Sequence, residues 1–267
     1  MNKYWSDRIA EAQQAILDKN IKQVEKQLKK HYQQAMQNAM DDFEATYDKL
    51  LATIEDGREA TPADLYKLDR YWKLQAQLQQ ELTKLGDKQA AALSKAFEAN
   101  FFEVYYSYSK ESLPFYTQID RASARQLIDS IWAPDGISWS QRIWKNLGQL
   151  KDTLNEELIS VVTSGRPTSV LKQKLMERFG VSYNQADSLA RTELANIQTQ
   201  AAEQRYKDAG VTQVQFWAEK DDRQCEHCGA LHGKIFPIGT PGLVPKHPRC
   251  RCQLLPVVDV PELDTNE

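Results

Sequence analysis

The sequence has no run of apolar residues long enough to span a membrane, and its N-terminus has charge but no apolar core behind it. The features of a membrane protein and of a secretory signal are therefore missing, which predicts a protein made and kept in a cytosol. An excess of one charge is also missing, because the formal net charge is -3 and the pI is about 5.9. This balance gives no bulk attraction to nucleic acid, although a local basic patch remains compatible with it.

Cysteine is scarce and unevenly distributed. The 267 residues include four cysteines, and all four lie between Asp221 and Cys252, together with three of the four histidines. In a cytosol, clustered cysteines are more often metal ligands or redox groups than disulfides. The chemistry of the chain is thus concentrated in one stretch, which we call the Cys/His knuckle (residues 221–252).

Proline and glycine are absent from residues 5–55, where apolar residues recur at steps of three and four. This spacing predicts a long amphipathic helix whose narrow apolar stripe needs a partner. After a break at residues 57–62, a second helix is predicted from Leu65 to Leu85, with Gly86 bending or ending it. A third helix is predicted from Ala90 to about Ser109, before Pro114.

The following segment also has helical periodicity, interrupted by turn residues. Helices are predicted over residues 122–131, from a cap at Ser138 or Ser140 to Val161, and, after a stop at residues 165–168, over residues 170–179 and 183–209. Gly180 separates the last two, and Gly210 is placed to cap the final one. Partial alternation beyond it predicts short strands near residues 211–218, 234–236 and 254–258.

These elements predict a mainly α protein with a small α+β C-terminal domain, in which helices and a short-stranded sheet surround the knuckle. We expect a long-helix N-terminal region over residues 1–113 and a second domain over residues 114–258. Residues 259–267 are expected to form a disordered acidic tail.

The knuckle offers five candidate metal ligands in two groups. Cys225 and Cys228 share a tight turn, and His247, Cys250 and Cys252 follow a loop rich in glycine and proline. Zinc takes four sulfur or nitrogen ligands, usually as two close pairs from separate segments. The spacing therefore predicts a structural zinc site, and it leaves open which four of the five residues bind. Two disulfides, or simply reduced thiols, are the alternatives.

Acids and bases around the knuckle allow another interpretation, a metal-dependent hydrolase in which a metal with an open position activates water. The candidate acids and bases are Asp221, Asp222, Glu226, His227 and His232. Four cysteines saturate a metal, however, and a saturated site is structural. Arg191 and Glu193 could serve a transferase, but we interpret their triplet as a capping and salt-bridge cluster at the start of a helical run.

An ordered series of short motifs runs through the C-terminal half of the sequence. The motifs are Leu189-Ala-Arg191-Thr-Glu193, Gly210-Val211, Phe216-Trp217, Asp222-Arg-Gln-Cys225-Glu-His-Cys228, Leu231-His-Gly233-Lys-Ile-Phe236 and His247-Pro-Arg-Cys250-Arg-Cys252. Over roughly residues 140 to 258, this series resembles the phage Mu F-like, head-morphogenesis (minor head protein) family of tailed double-stranded DNA bacteriophages.

The resemblance implies a minor structural protein of a phage head, or of a prophage, with no established enzymatic activity. It implies a location in the virion, and in the host cytoplasm during assembly. The implied role is head assembly at or near the portal and the handling of packaged DNA. The implied partners are the portal protein and the major capsid protein, with packaged double-stranded DNA as a further partner and no membrane.

A non-specific DNA-binding module with a zinc knuckle is the alternative function. Basic residues outnumber the four acids close to the knuckle, and a small basic patch can contact phosphates without reading sequence. The basic residues are Lys220, Arg223, Lys234, Lys246, Arg249 and Arg251.

Overall fold

The computed structural model describes residues 3–51, 70–108, 118–163, 168–219 and 225–258. Its helices are α1 (Lys3–Leu51), α2 (Arg70–Tyr105), α3 (Arg121–Ile128), α4 (Trp139–Thr163), α5 (Thr168–Asp208) and α6 (Glu226–Leu231). The strands β1 (Gln213–Trp217), β2 (Ile235–Pro237) and β3 (Gln253–Pro256) form an antiparallel sheet in the order β2-β1-β3. The predicted class, mainly α with a small sheet near the C-terminus, is confirmed. Within the described ranges, no helix has both the length and the apolar character to cross a membrane.

The chain divides into two compact units. The sheet unit comprises Met1–Val24, Leu93–Trp139 and Ser188–Glu267, and the helical unit comprises Glu25–Ala92 and Ser140–Asp187. Helices α1, α2 and α5 each contribute one part to each unit. The knuckle belongs to the sheet unit. The domain boundary expected at residue 114 stays a prediction, and the expected acidic tail lies outside the described residues.

Helix α1 confirms the predicted apolar stripe. Its buried positions recur at steps of three and four: Leu17, Ile21, Val24, Leu28, Tyr32, Ala35, Ala39 and Phe43. The polar side chains of Gln13 and Asn20 continue the same stripe and are also buried. Asn20 donates to the side-chain oxygen of Asn100 at 3.3 Å. Because a buried amide needs such a partner, these polar positions favour one register of the helix over its neighbours.

Two predicted helix breaks are wrong, because α2 continues through Gly86 and α5 continues through Gly180. A glycine inside a helix costs only about 1 kcal/mol relative to alanine, and burial of the flanking residues Leu85 and Phe179 opposes that cost. Gly86 also makes room for Trp144, since a Cβ atom there would lie 2.6 Å from the Cη2 atom of that ring. The breaks expected at residues 57–62, at Pro114 and at residues 165–167 lie outside the described residues.

The end of α5 follows the prediction. Gly210 has a φ of 76°, and the Val211 N–H donates to the Tyr206 carbonyl at 2.9 Å. The Gly210 N–H donates to the Lys207 carbonyl, which completes a Schellman cap. This cap turns the chain directly into β1, the central strand of the sheet.

The hydroxyl group of Tyr206 anchors the sheet to the helices of its unit. It donates to the Leu254 carbonyl on β3 at 3.0 Å, accepts from the Gln13 Nε2 atom at 3.0 Å and lies 2.7 Å from the Tyr108 hydroxyl. Burial raises the pKa of Tyr206, so the group stays a protonated donor. The Gln253 Nε2 atom adds a bond to the carbonyl of Ala10 on α1 at 3.2 Å. These bonds fix the strand that directly follows the knuckle.

Replacing Gly86 by alanine tests the close approach of Trp144. Alanine in a helix interior normally stabilises by about 0.5–1 kcal/mol, but the added methyl group here would push against the ring and cost about 1–3 kcal/mol. Gly180 is the matched control, because nothing lies within 4 Å of a Cβ atom built there. We expect Gly86→Ala to lower, and Gly180→Ala to raise, the urea midpoint of helix unfolding followed by circular dichroism. Equal shifts for the two variants would refute the packing argument.

Replacing Tyr206 by phenylalanine tests the anchor of β3. The change leaves the buried Leu254 carbonyl without its donor, which costs about 1–3 kcal/mol. We expect faster amide hydrogen exchange in the peptide that contains residues 253–256, measured by mass spectrometry. The control is Tyr32→Phe, because the Tyr32 hydroxyl has only long contacts of 3.3 and 3.4 Å to Gln89 and Ser182. If the Tyr206 variant leaves exchange in β3 unchanged, the anchor lies elsewhere.

Candidate metal centre

The first half of the knuckle is held by the start of helix α6. Cys225 is the N-cap of this helix, with extended backbone angles, and its sulfur accepts the Cys228 backbone N–H at 3.4 Å. Cysteine replaces the usual serine or aspartate in this capping role. As a result, the two sulfurs of the Cys-x-x-Cys motif lie on one turn and face the same region.

The second half is a tight turn from His247 to Cys250. The Cys250 backbone N–H donates to the His247 carbonyl at 3.1 Å, which closes the turn. Arg249, inside the turn, has a φ of 61° and thus lies in the left-handed region. Cys252 follows two residues later and immediately precedes β3. The turn and the strand together set the positions of the remaining candidate ligands.

The structure brings all five predicted ligands together. The ligand atoms of Cys225, Cys228 and His247 lie within 4.8 Å of one another, and so do those of Cys228, Cys250 and Cys252. Cys228 belongs to both groups and therefore joins them. The thiols are free, and those of Cys228, Cys250 and Cys252 are buried.

The hydrogen bonds of His247 define which of its ring nitrogens is available. Its Nδ1 atom lies 2.9 Å from the Pro248 carbonyl, which can only accept, so Nδ1 carries the proton. In the neutral ring the Nε2 atom then carries the lone pair, and it lies 3.6 Å from the Cys228 sulfur. Metal-binding histidines commonly donate their second ring N–H to a backbone carbonyl in this way. The imidazole is therefore oriented to offer Nε2 to a metal.

The four thiols differ in their readiness to ionise. The backbone N–H of Cys228 lowers the pKa of Cys225, and a hydrogen bond from the Cys252 thiol lowers the pKa of Cys250 to about 5. Burial raises the pKa of Cys228 to about 12, and the bond to Cys250 raises the pKa of Cys252. These contacts favour the thiolate form at Cys225 and Cys250 and the protonated thiol at Cys228 and Cys252. A bound cation would favour further deprotonation, because thiolates are the metal ligands.

This arrangement can hold a metal ion. Sulfur and imidazole nitrogen are the ligands that structural zinc sites use, and a tetrahedral ion needs four of them. The cluster supplies five such groups, so its donors are sufficient to fill every position. A site filled in this way keeps no open position for a reacting water molecule.

The predicted acids and bases that the structure describes do not join the cluster. Glu226 and His227 are exposed, and they belong to neither group of ligand atoms. His232 accepts the Ala218 backbone N–H at 3.2 Å and packs on the ring of Trp217, so it supports the end of β1. Asp221 and Asp222 lie outside the described residues. Among the described candidates, we find no assembled acid–base pair beside the sulfurs.

The triplet from Arg191 to Glu193 lies in the middle of α5, not at the start of a helix, so its interpretation as a capping cluster is wrong. Glu193 is buried and accepts a hydrogen bond from Trp132 Nε1 at 2.8 Å. The Thr192 hydroxyl accepts the Arg249 backbone N–H at 3.0 Å. Sequence reasoning noticed the triplet but missed both partners, since they are 57 and 61 residues away in the chain.

The six basic residues predicted around the knuckle differ in their surroundings. One of them forms an ion pair, and two lie outside the described residues. Arg251 donates to both carboxylate oxygens of Asp18 on α1 at 3.2 Å. Lys220 and Arg223 lie outside the described residues. The exposed members of the set are Lys234, Lys246 and Arg249.

Comparisons with known proteins bear on the same part of the chain. Residues 152–255 match the model of the family described as Phage Mu protein F like protein. The matched region includes the Arg191–Glu193 triplet, the sheet up to Leu255 and all five candidate ligands. The resemblance found in the sequence is thereby confirmed. The searches of curated proteins and of solved structures gave no match.

Proposed function

From the match of residues 152–255 to the phage Mu protein F-like family, we propose that this chain is a minor head protein of a tailed double-stranded DNA phage. It acts in head assembly at or near the portal and is part of the virion. Its partners are the portal protein and the major capsid protein, and it also meets packaged DNA. The family match is the observation that carries this proposal.

We further propose that the knuckle is a structural zinc centre. The support is the convergence of sulfur and imidazole ligands from two segments that are more than 15 residues apart in sequence. A metal that joins these segments restrains a loop with little regular structure, because binding free energy at such a site is also folding free energy. In this function the metal stabilises the sheet unit and supplies no reactive group.

The proposed ligands are Cys225, Cys228, His247 and Cys250. Cys228 is common to both groups of atoms, and His247 presents Nε2 while its Nδ1–H is held by a carbonyl. The sulfurs of Cys225 and Cys250 both accept backbone N–H groups, as thiolate ligands do. Cys252 then remains as the fifth group, a buried thiol that donates to Cys250.

Metal analysis of the purified chain tests the zinc centre. We expect about one zinc per chain, with the ligand thiols protected from a thiol reagent until a chelator is added. Chelation should lower the melting temperature, because a ligand present at about a hundred times its Kd stabilises the folded state by about 2.7 kcal/mol. A chain without metal and with four reactive thiols would contradict the proposal.

Single variants in the same experiment define the ligand set. Cys225→Ser and His247→Ala should lose zinc, whereas Cys252→Ser should keep it. Cobalt(II) gives an independent check, since three sulfurs and one nitrogen produce a different visible spectrum from four sulfurs. Zinc retained by His247→Ala and lost by Cys252→Ser would instead identify four cysteines as the ligands.

A genetic experiment tests the head function. We expect a phage or prophage with an early stop codon in this gene to lyse its host but to yield few infectious particles with normal heads in electron micrographs. The wild-type gene supplied in trans should restore the yield, and mass spectrometry of purified virions should detect the chain. Normal yield from the stop-codon phage, with no chain in wild-type virions, would refute a head protein even if zinc binds.

A further inference from the structure

The turn that carries two of the proposed ligands contains a strained residue. Arg249, between His247 and Cys250, has a φ of 61°, and it is the non-glycine residue with positive φ in the described part of the chain. The left-handed conformation costs about 1–2 kcal/mol for a residue with a Cβ atom. Some contact must therefore stabilise this turn in the conformation that faces its ligands towards the cluster.

A hydroxyl group on helix α5 makes that contact. The Arg249 backbone N–H donates to the Thr192 Oγ1 atom at 3.0 Å, across 57 residues of sequence. The Thr192 hydroxyl in turn donates its own proton to the Ser188 carbonyl at 2.7 Å. Because the proton is directed along the helix, a lone pair of the oxygen is free to accept from the turn. The helix thus fixes the position of the Thr192 oxygen and makes it the acceptor in the bond with the turn.

We infer that Thr192 is a positioning residue for the metal centre: its hydroxyl holds the turn from His247 to Cys250 in the conformation that binds metal. Thr192 contacts the backbone of the turn between the two ligands and does not itself belong to the ligand cluster. The inference rests on the proposed zinc centre. The inference gives Thr192, the middle residue of the Arg191–Glu193 triplet, a role at a turn that lies 57 residues away in the sequence.

The test compares zinc affinities of full-length variants by competition with a chromogenic chelator. Thr192→Val keeps the shape of the side chain but removes the acceptor, and loss of such an outer contact typically weakens metal binding about 10–100-fold. Thr192→Ser keeps the hydroxyl and should bind within about threefold of wild type, a difference below roughly 1 kcal/mol. Should the valine variant fail to fold, Thr192→Ala removes the same acceptor without adding bulk.

Thr199 provides a matched control on the same helix. Its hydroxyl also donates to the carbonyl four residues earlier, Ala195, at 2.9 Å, and its side chain is buried. Thr199→Val therefore alters the helix in the same way without touching the turn, and its zinc affinity should equal that of wild type. Equal weakening by the two valine variants would show a general effect on the helix and overturn the inference.

A second substitution, at Arg249, distinguishes positioning of the turn by Thr192 from a general effect of Thr192 on the stability of the protein. Glycine adopts left-handed angles without steric cost, so Arg249→Gly should relax the need for the hydroxyl. We expect Thr192→Val to weaken zinc binding by less than about threefold in the Arg249→Gly background, which is a coupling between contacting residues. An undiminished effect in that background would refute positioning through the turn.

The outcomes also separate this inference from the proposed function. A wild-type chain that binds neither zinc nor cobalt(II) would remove the metal centre, and the role of Thr192 would be overturned with it. A wild-type chain that binds zinc, and whose Thr192→Val variant binds it equally well, would retain the metal centre and overturn only the role of Thr192.

Discussion

The hydroxyl of Tyr206 is the contact on which the placement of the sheet, and through it the candidate metal centre, depends. Strands of three to five residues bury too little surface to be stable without other elements. Tyr206 joins α5, α1 and β3 through one oxygen atom, so the strand after Cys252 has a fixed position relative to the helices. The knuckle includes β2 and the connections on either side of it, so the sheet helps to set its geometry.

Much of this fold can be predicted from the sequence because it depends on local periodicity. The stripe from Leu17 to Phe43 predicts α1, and Gly210 predicts the cap of α5, because both signals lie within a few residues of the structure that they specify. Gly86 and Gly180 mislead for the opposite reason. Whether a glycine ends a helix depends on the packing of its neighbours, and for Gly86 the neighbour is a tryptophan 58 residues away in the sequence.

The candidate metal centre also has a part that the sequence predicts and a part that it does not. Spacing alone identifies five candidate ligands that can meet: Cys225, Cys228, His247, Cys250 and Cys252. It cannot specify that Nδ1 of His247 is protonated or that two thiols favour the thiolate, because these properties follow from individual hydrogen bonds. The contact between Thr192 and Arg249 is equally invisible in the sequence, since it joins a helix interior to a loop. The part that spacing misses is thus the part that orients the ligands.

The sheet unit also imposes an order on biosynthesis. Gln253 bonds to the Ala10 carbonyl across 243 residues, and Leu255 packs with Ile9 and Ala10. A ribosome adds about 5–20 residues per second, so the first turns of α1 wait roughly 10–50 s for the strand that covers them. Throughout that interval Ile9 and Ala10 lack one of their apolar partners, Leu255. Closure of this unit therefore waits until residues 253–255 have been synthesised.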